Sequence, residues 1–96
     1  MKKVPKNLQG ILWSVPVERL DLLKHESYVI HQILMYGNFD HIRWLFSTYP
    51  RKRIASVFLH KPQKIYTKAA LNYVNKYILE LDNKQLQEDK YVSTAH

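Results

Sequence analysis

Two glycines and four prolines in 96 residues leave this chain few places to turn. Gly10 and Gly37 stand alone, and Pro5, Pro16, Pro50 and Pro62 divide the rest into long unbroken stretches. Within those stretches apolar residues recur every three or four positions, and nowhere is there the strict alternation of a half-buried strand. The expected fold is therefore all-α, a compact bundle of four to five helices. One of its corners has the outline of a helix-turn-helix.

The punctuation predicts the element boundaries. Pro16 opens a short turn over Val17–Asp21. The segment from Leu22 onward carries a stripe of Val29, Ile30, Ile33 and Leu34, closed by Gly37 at a position where a positive φ favours glycine. Asn38 is an N-cap for the next helix, with Asp40 in its first turn to complement the helix dipole. In that helix Phe39, Ile42, Leu45, Phe46 and Tyr49 share a face, and Trp44 projects almost opposite Ile42. Pro50 suits the first turn of a third helix and pushes Tyr49 out of the helical region. There Ile54, Val57 and Phe58 face inward. After a loop around Pro62, Thr67 caps a fourth helix whose inward residues are expected to be Leu71, Val74, Ile78 and Leu81.

Length and composition predict one domain over residues 1–82, followed by a polar, flexible C-terminal tail over residues 83–96. There is no cysteine, and no apolar run approaches the roughly 20 residues of a membrane span, so the expectation is a soluble, cytoplasmic protein. The formal charge is +7, and its distribution is uneven. Residues 51–79 hold seven Lys and Arg and no acid, which favours an anionic partner.

Several chemistries lack their residues. His25-Glu26 resembles half of a zinc motif, but Val29 stands where the second histidine ligand belongs. Phosphate-binding loops need clustered glycines, paired carboxylates are missing, and no serine has the flanking glycines of a nucleophile elbow. No metal, cofactor, small-molecule substrate or catalytic residue is expected, and the chain reads as a non-enzymatic binding module.

Two constellations are candidates for binding. The first is the basic third helix with its flanks: Arg51, Lys52, Arg53, Ser56, His60, Lys61, Lys64, Lys68 and Lys76. A helix that opens on cations after a tight turn suits contact with nucleic acid or another anion. The second is a set of large residues off the main apolar faces: Tyr28, Met35, Trp44, Tyr73 and Tyr77. They form either a second core layer or an exposed protein interface, self or foreign.

The order "LW…V…LD", "YVIHQILMYG", "FDHIRWLFSTYP", "RIASVFL" and "YTKAALNYVNKYIL" resembles a family of short, uncharacterised bacterial helical proteins encoded beside AbiEii-type nucleotidyltransferase toxins. The likeness runs over about residues 11–80 and rests on Trp13, Leu20, Asp21, Ile30, Ile33, Leu34, Tyr36, Gly37, Ile42, Trp44, Leu45 and Tyr49. The chain departs from it at His31-Gln32 and at Pro50. That family is antitoxin-like and of unknown function, and it brings no catalytic residues with it. The resemblance implies a module that binds a toxin-like enzyme. The alternative is a DNA-binding regulator using the basic helix that starts near Arg51.

Overall fold

The computed structural model describes residues 4–81 and 86–93. Among them lie four α-helices: α1 (Glu26–Tyr36), α2 (Phe39–Thr48), α3 (Arg51–His60) and α4 (Lys68–Tyr73). Helix α4 runs on into a wider π-type turn, Val74–Ile78, and short 3-10 turns occupy Lys6–Gly10, Val17–Arg19 and Glu88–Lys90. The fold is all-α, as expected.

Helix α1 is the axis of the bundle. Val29, Ile30, His31, Gln32, Ile33 and Leu34 are consecutive and all buried, so this helix is enclosed around its whole circumference and not along one stripe. Helices α2 and α3 pack against it. Leu8, Ile11 and Leu12 belong to the same core, and Gln32 Nε2 donates to the Ile11 carbonyl at 2.8 Å, which satisfies the buried amide. The α1 N-terminus is fixed by Asp21, whose Oδ1 accepts from the Leu23 and Lys24 N–H groups while its own N–H donates to His25 Nδ1. The backbone N–H groups of Lys24 and Leu23 hold the Asp21 carboxyl below the usual carboxylate range. His25 is thus engaged in a helix cap.

Gly37 marks the corner as expected, but for a different reason. Its φ of −74° and ψ of 149° are open to any residue. A Cβ there would lie 2.6 Å from the Ile33 carbonyl oxygen and 3.0 Å from the His41 Cβ. The glycine is needed for close approach between α1 and α2, not for a left-handed backbone. Asn38 then caps α2 reciprocally: its Oδ1 accepts from the His41 N–H at 3.0 Å, and its N–H donates to His41 Nδ1 at 3.1 Å. Histidine here takes the place that Glu or Gln fills in the usual capping box.

The end of α3 is closed from a distance. The Phe58 carbonyl would ordinarily accept from residue 62, which is a proline without an N–H. The Tyr91 hydroxyl donates to it instead, at 2.6 Å. Lys61 O faces His31 Nε2 at 2.7 Å, so that nitrogen carries the imidazole proton and Nδ1 accepts from the Tyr66 hydroxyl at 2.8 Å. Burial in this setting lowers the His31 pKa and keeps the ring neutral. His31, Phe58, Tyr66 and Tyr91 form one buried aromatic cluster, with Phe58 and Tyr91 centroids 5.0 Å apart.

Two expectations change here. The polar end was expected to be a flexible tail from residue 83, yet Tyr91 is 2% exposed. Tyr66 N–H donates to Tyr91 O at 2.8 Å and Ser93 N–H to Tyr66 O at 3.0 Å, an isolated parallel bridge. Residues 86–93 are strapped to the core by one aromatic side chain and two backbone bonds; positions 83–85 and 94–96 of that expected tail lie outside the described residues. In the fourth helix Leu71 and Val74 point inward as expected, but the next buried residue is Leu79, and Ile78 is only half-buried. The π turn is the cause. Leu79 N–H bonds to Val74 O, five residues back, and this extra residue rotates the inward face by one position. The turn ends at Glu80, whose φ of 52° is in the left-handed region, with Leu81 N–H donating to Asn75 O at 2.8 Å.

Candidate protein-docking groove

The bundle leaves an apolar groove of about 390 Å³ between α2 and α4, floored by the end of α1. Phe39, Ile42 and Phe46 make one wall, at i, i+3 and i+7 on α2. Ala70, Tyr73, Val74, Tyr77 and Ile78 make the other, and Leu34 and Met35 lie between. Phe39 is 75% exposed, Tyr73 57% and Tyr77 69%, so three rings line this groove while remaining open to solvent. Tyr73 and Tyr77 contact each other, with centroids 5.7 Å apart. An exposed cluster of this kind is unusual for a surface that meets only water.

Three cations stand around it. Arg43 lies over the Phe39 ring, 5.9 Å from its centroid, and Arg51 over Phe46 at 5.1 Å. Lys76 is exposed between the two tyrosines in sequence. Arg51 also donates from Nη2 to the Ile78 carbonyl at 2.9 Å and lies 3.6 Å from the Glu80 carboxylate. It thereby ties the start of α3 to the end of the π turn and fixes the separation of the two walls.

The structure divides the expected interface residues. Met35, Tyr73 and Tyr77 come together in this groove. Tyr28 and Trp44 do not: both are half-buried and packed against the core, and the Tyr28 hydroxyl accepts from the Ser14 N–H at 2.8 Å. Sequence periodicity missed Phe39, placing it on the inward face of α2. The face in fact splits, with Leu45 and Tyr49 in the core and Ile42 and Phe46 at the groove. Phe39 is the first residue of α2, directly after the corner, and that position is the only hint the sequence carries.

The basic residues are also divided. Arg53 makes a bidentate pair with the buried Glu26, Nε to Oε2 at 2.7 Å and Nη2 to Oε1 at 2.6 Å. The guanidinium hydrogen bonds hold the Glu26 carboxyl below the usual carboxylate range against the opposing effect of burial. Lys68 lies 3.8 Å from Glu88. Lys52, His60, Lys61, Lys64 and Lys76 are exposed, and Ser56 is half-buried beside them on α3. Of the three cations that open α3, Arg51 and Arg53 are therefore held by groups within the fold and Lys52 projects outward.

Among the described residues no group of three or more His, Asp or Glu is placed to hold a metal ion, and no helix is long and apolar enough to cross a membrane. No curated protein and no solved structure matches the chain. The N-terminal turns, α1, α2 and most of α3 do match a family model, over residues 8–58 and so over more than half of the sequence: the chain belongs to DUF6922, a family of unknown function.

Proposed function

We propose that this protein is a non-enzymatic, antitoxin-like binding module whose partner is a protein, a nucleotidyltransferase-type toxin, seated on the groove between α2 and α4. The observation that carries this reading is the gathering of Phe39, Tyr73 and Tyr77, all exposed, around one apolar groove. Burying those rings removes enough apolar surface from water to anchor an interface, and aromatic residues with flanking Arg are the usual hot spots. A foreign partner is favoured over a second copy because each chain carries a formal charge of +7, so two copies repel.

The test is co-purification with the nucleotidyltransferase encoded beside the gene. Phe39→Ala and Tyr77→Ala alter exposed side chains, so the fold should survive and capture should be lost. Undiminished capture by both variants would refute the reading.

A second reading, duplex DNA binding through α3, draws support from Lys52, Ser56 and His60, which recur at i, i+4 and i+8 along one line of that helix. It is weakened by the engagement of Arg51 and Arg53 within the fold. Under this reading affinity for duplex DNA falls steeply with salt, and Lys52→Ala lowers the slope by about one. Retention that nuclease treatment abolishes would favour it over the groove.

A further inference from the structure

We infer that the element seated in the α2/α4 groove is an acidic amphipathic helix. This rests on the docking reading above and specifies the chemistry of the partner. Three observations lead to it.

The first is the spacing of the walls. Phe39, Ile42 and Phe46 span two helical turns, about 10 Å, and Tyr73 and Tyr77 face them over the same span. A helix presents apolar side chains at i, i+3 or i+4, and i+7, with the same pitch, so its knobs fall between those of the two walls.

The second is the scarcity of hydrogen-bonding groups. The groove is lined by aromatic and aliphatic side chains, with Asn38 the sole polar side chain among its lining residues. An extended peptide laid there would leave N–H and C=O groups desolvated without partners. A helix has already satisfied them internally.

The third is charge. Arg43 and Arg51 lie over rings of one wall, and Lys76 is exposed on the turn that carries the other. Among the described residues the acids on the elements forming the groove are Glu26, which is paired with Arg53, Asp40 in the first turn of α2, and Glu80 beside Arg51. The whole chain adds its excess of positive charge. Carboxylates on the flanks of an incoming helix meet this field favourably, and lysines there meet repulsion. Nucleic acid is disfavoured at this site because the guanidiniums already occupy faces of Phe39 and Phe46 on which bases would stack.

Synthetic peptides supply the test. Two helical peptides of about 16 residues carry the same Leu/Phe face, one with Glu and one with Lys on the opposite face. A third has the Glu peptide's composition in scrambled order, and an oligothymidylate completes the set. Binding is read by fluorescence anisotropy at low and moderate salt.

The Glu peptide is expected to bind about tenfold more tightly than the Lys peptide and to outcompete the scrambled one. Phe39→Ala should abolish its binding, and the double variant Arg43→Gln/Lys76→Gln should erase the preference for Glu over Lys. Circular dichroism of each variant establishes that it is folded; all three sites are solvent-exposed.

Equal binding of the Glu and Lys peptides, both lost in Phe39→Ala, would overturn the acidic-helix inference and leave the docking reading standing. Equal binding of the scrambled peptide would overturn the requirement for a helix. Oligothymidylate binding more tightly than the Glu peptide and losing it in Phe39→Ala would overturn the inference in favour of nucleic acid, and concentration-dependent dimerisation abolished by Phe39→Ala would do so in favour of a second copy. Failure of every peptide to bind, together with toxin capture that is indifferent to Phe39→Ala, would remove both readings.

Discussion

Tyr91 offers the sharpest test of the architecture, because the segment carrying it looks dispensable in the sequence. Its hydroxyl is the donor to the Phe58 carbonyl at 2.6 Å, and Pro62 cannot replace it. Tyr91→Phe keeps the ring and leaves a buried carbonyl without that partner, which should cost about 1–3 kcal/mol. Tyr91→Ala also removes a ring that is 2% exposed and stacked 5.0 Å from Phe58 and 6.1 Å from Tyr66. Deleting a buried aromatic of this kind costs about 3–5 kcal/mol. In a domain of this size each kcal/mol lowers the melting temperature by about 4–8 °C, so the alanine variant should melt on the order of 20 °C lower. Such a loss approaches the whole stability of a small domain, about 5–15 kcal/mol.

Thermal and urea unfolding followed by circular dichroism and by tyrosine fluorescence would measure both changes. If Tyr91→Ala melted within about 0.5 kcal/mol of the parent, residues 86–93 would not be docked and the reasoning would fall. If Tyr91→Phe matched the parent while Tyr91→Ala did not, the ring would matter and the bond to Phe58 would not.

Two more outcomes follow from the geometry. Gly37→Ala at an ordinary φ would stabilise most proteins by about 0.4–1 kcal/mol; here the 2.6 Å approach to Ile33 O should reverse the sign, to a loss of about 1–3 kcal/mol in urea unfolding, and a stabilised variant would refute the close-approach explanation. Burial depresses the folded-state pKa of His31, so the unfolded chain binds its proton first on acidification; stability should be fully present above about pH 6.5 and decline from there downward, a slope that unfolding titrations from pH 8 to 5 would detect and His31→Asn would flatten.

Local chemistry was the legible part of this fold. The break at Tyr49-Pro50 and the caps at Asn38 and Thr67 are short-range consequences of φ limits and side-chain oxygens, and they lie where the residues imply. Illegible features depend on pairing across the chain. Nothing in Glu26 or Arg53 alone announces an ion pair 27 positions apart, and Tyr91 is separated from Phe58 by 33. The π turn was hidden for another reason: periodicity assumes 3.6 residues per turn, so one wide turn moved the inward position from Ile78 to Leu79 without any change in composition. The groove was half visible. Tyr73 and Tyr77 stood out for lying off the apolar face, whereas Phe39 looked like core until the corner left it uncovered.

The bond between Tyr91 and Phe58 also bears on what DUF6922 denotes as a physical object. The family match stops at Phe58, the very residue whose carbonyl waits for a hydroxyl more than thirty positions downstream. A polypeptide halted there would lack the ring that lies against Phe58, the tyrosine that fixes the imidazole of His31 and the second wall of the groove. The shared stretch is thus a recurring half whose interior is sealed by whatever follows it, and members with different continuations would inherit the same helices while differing in the surface they offer.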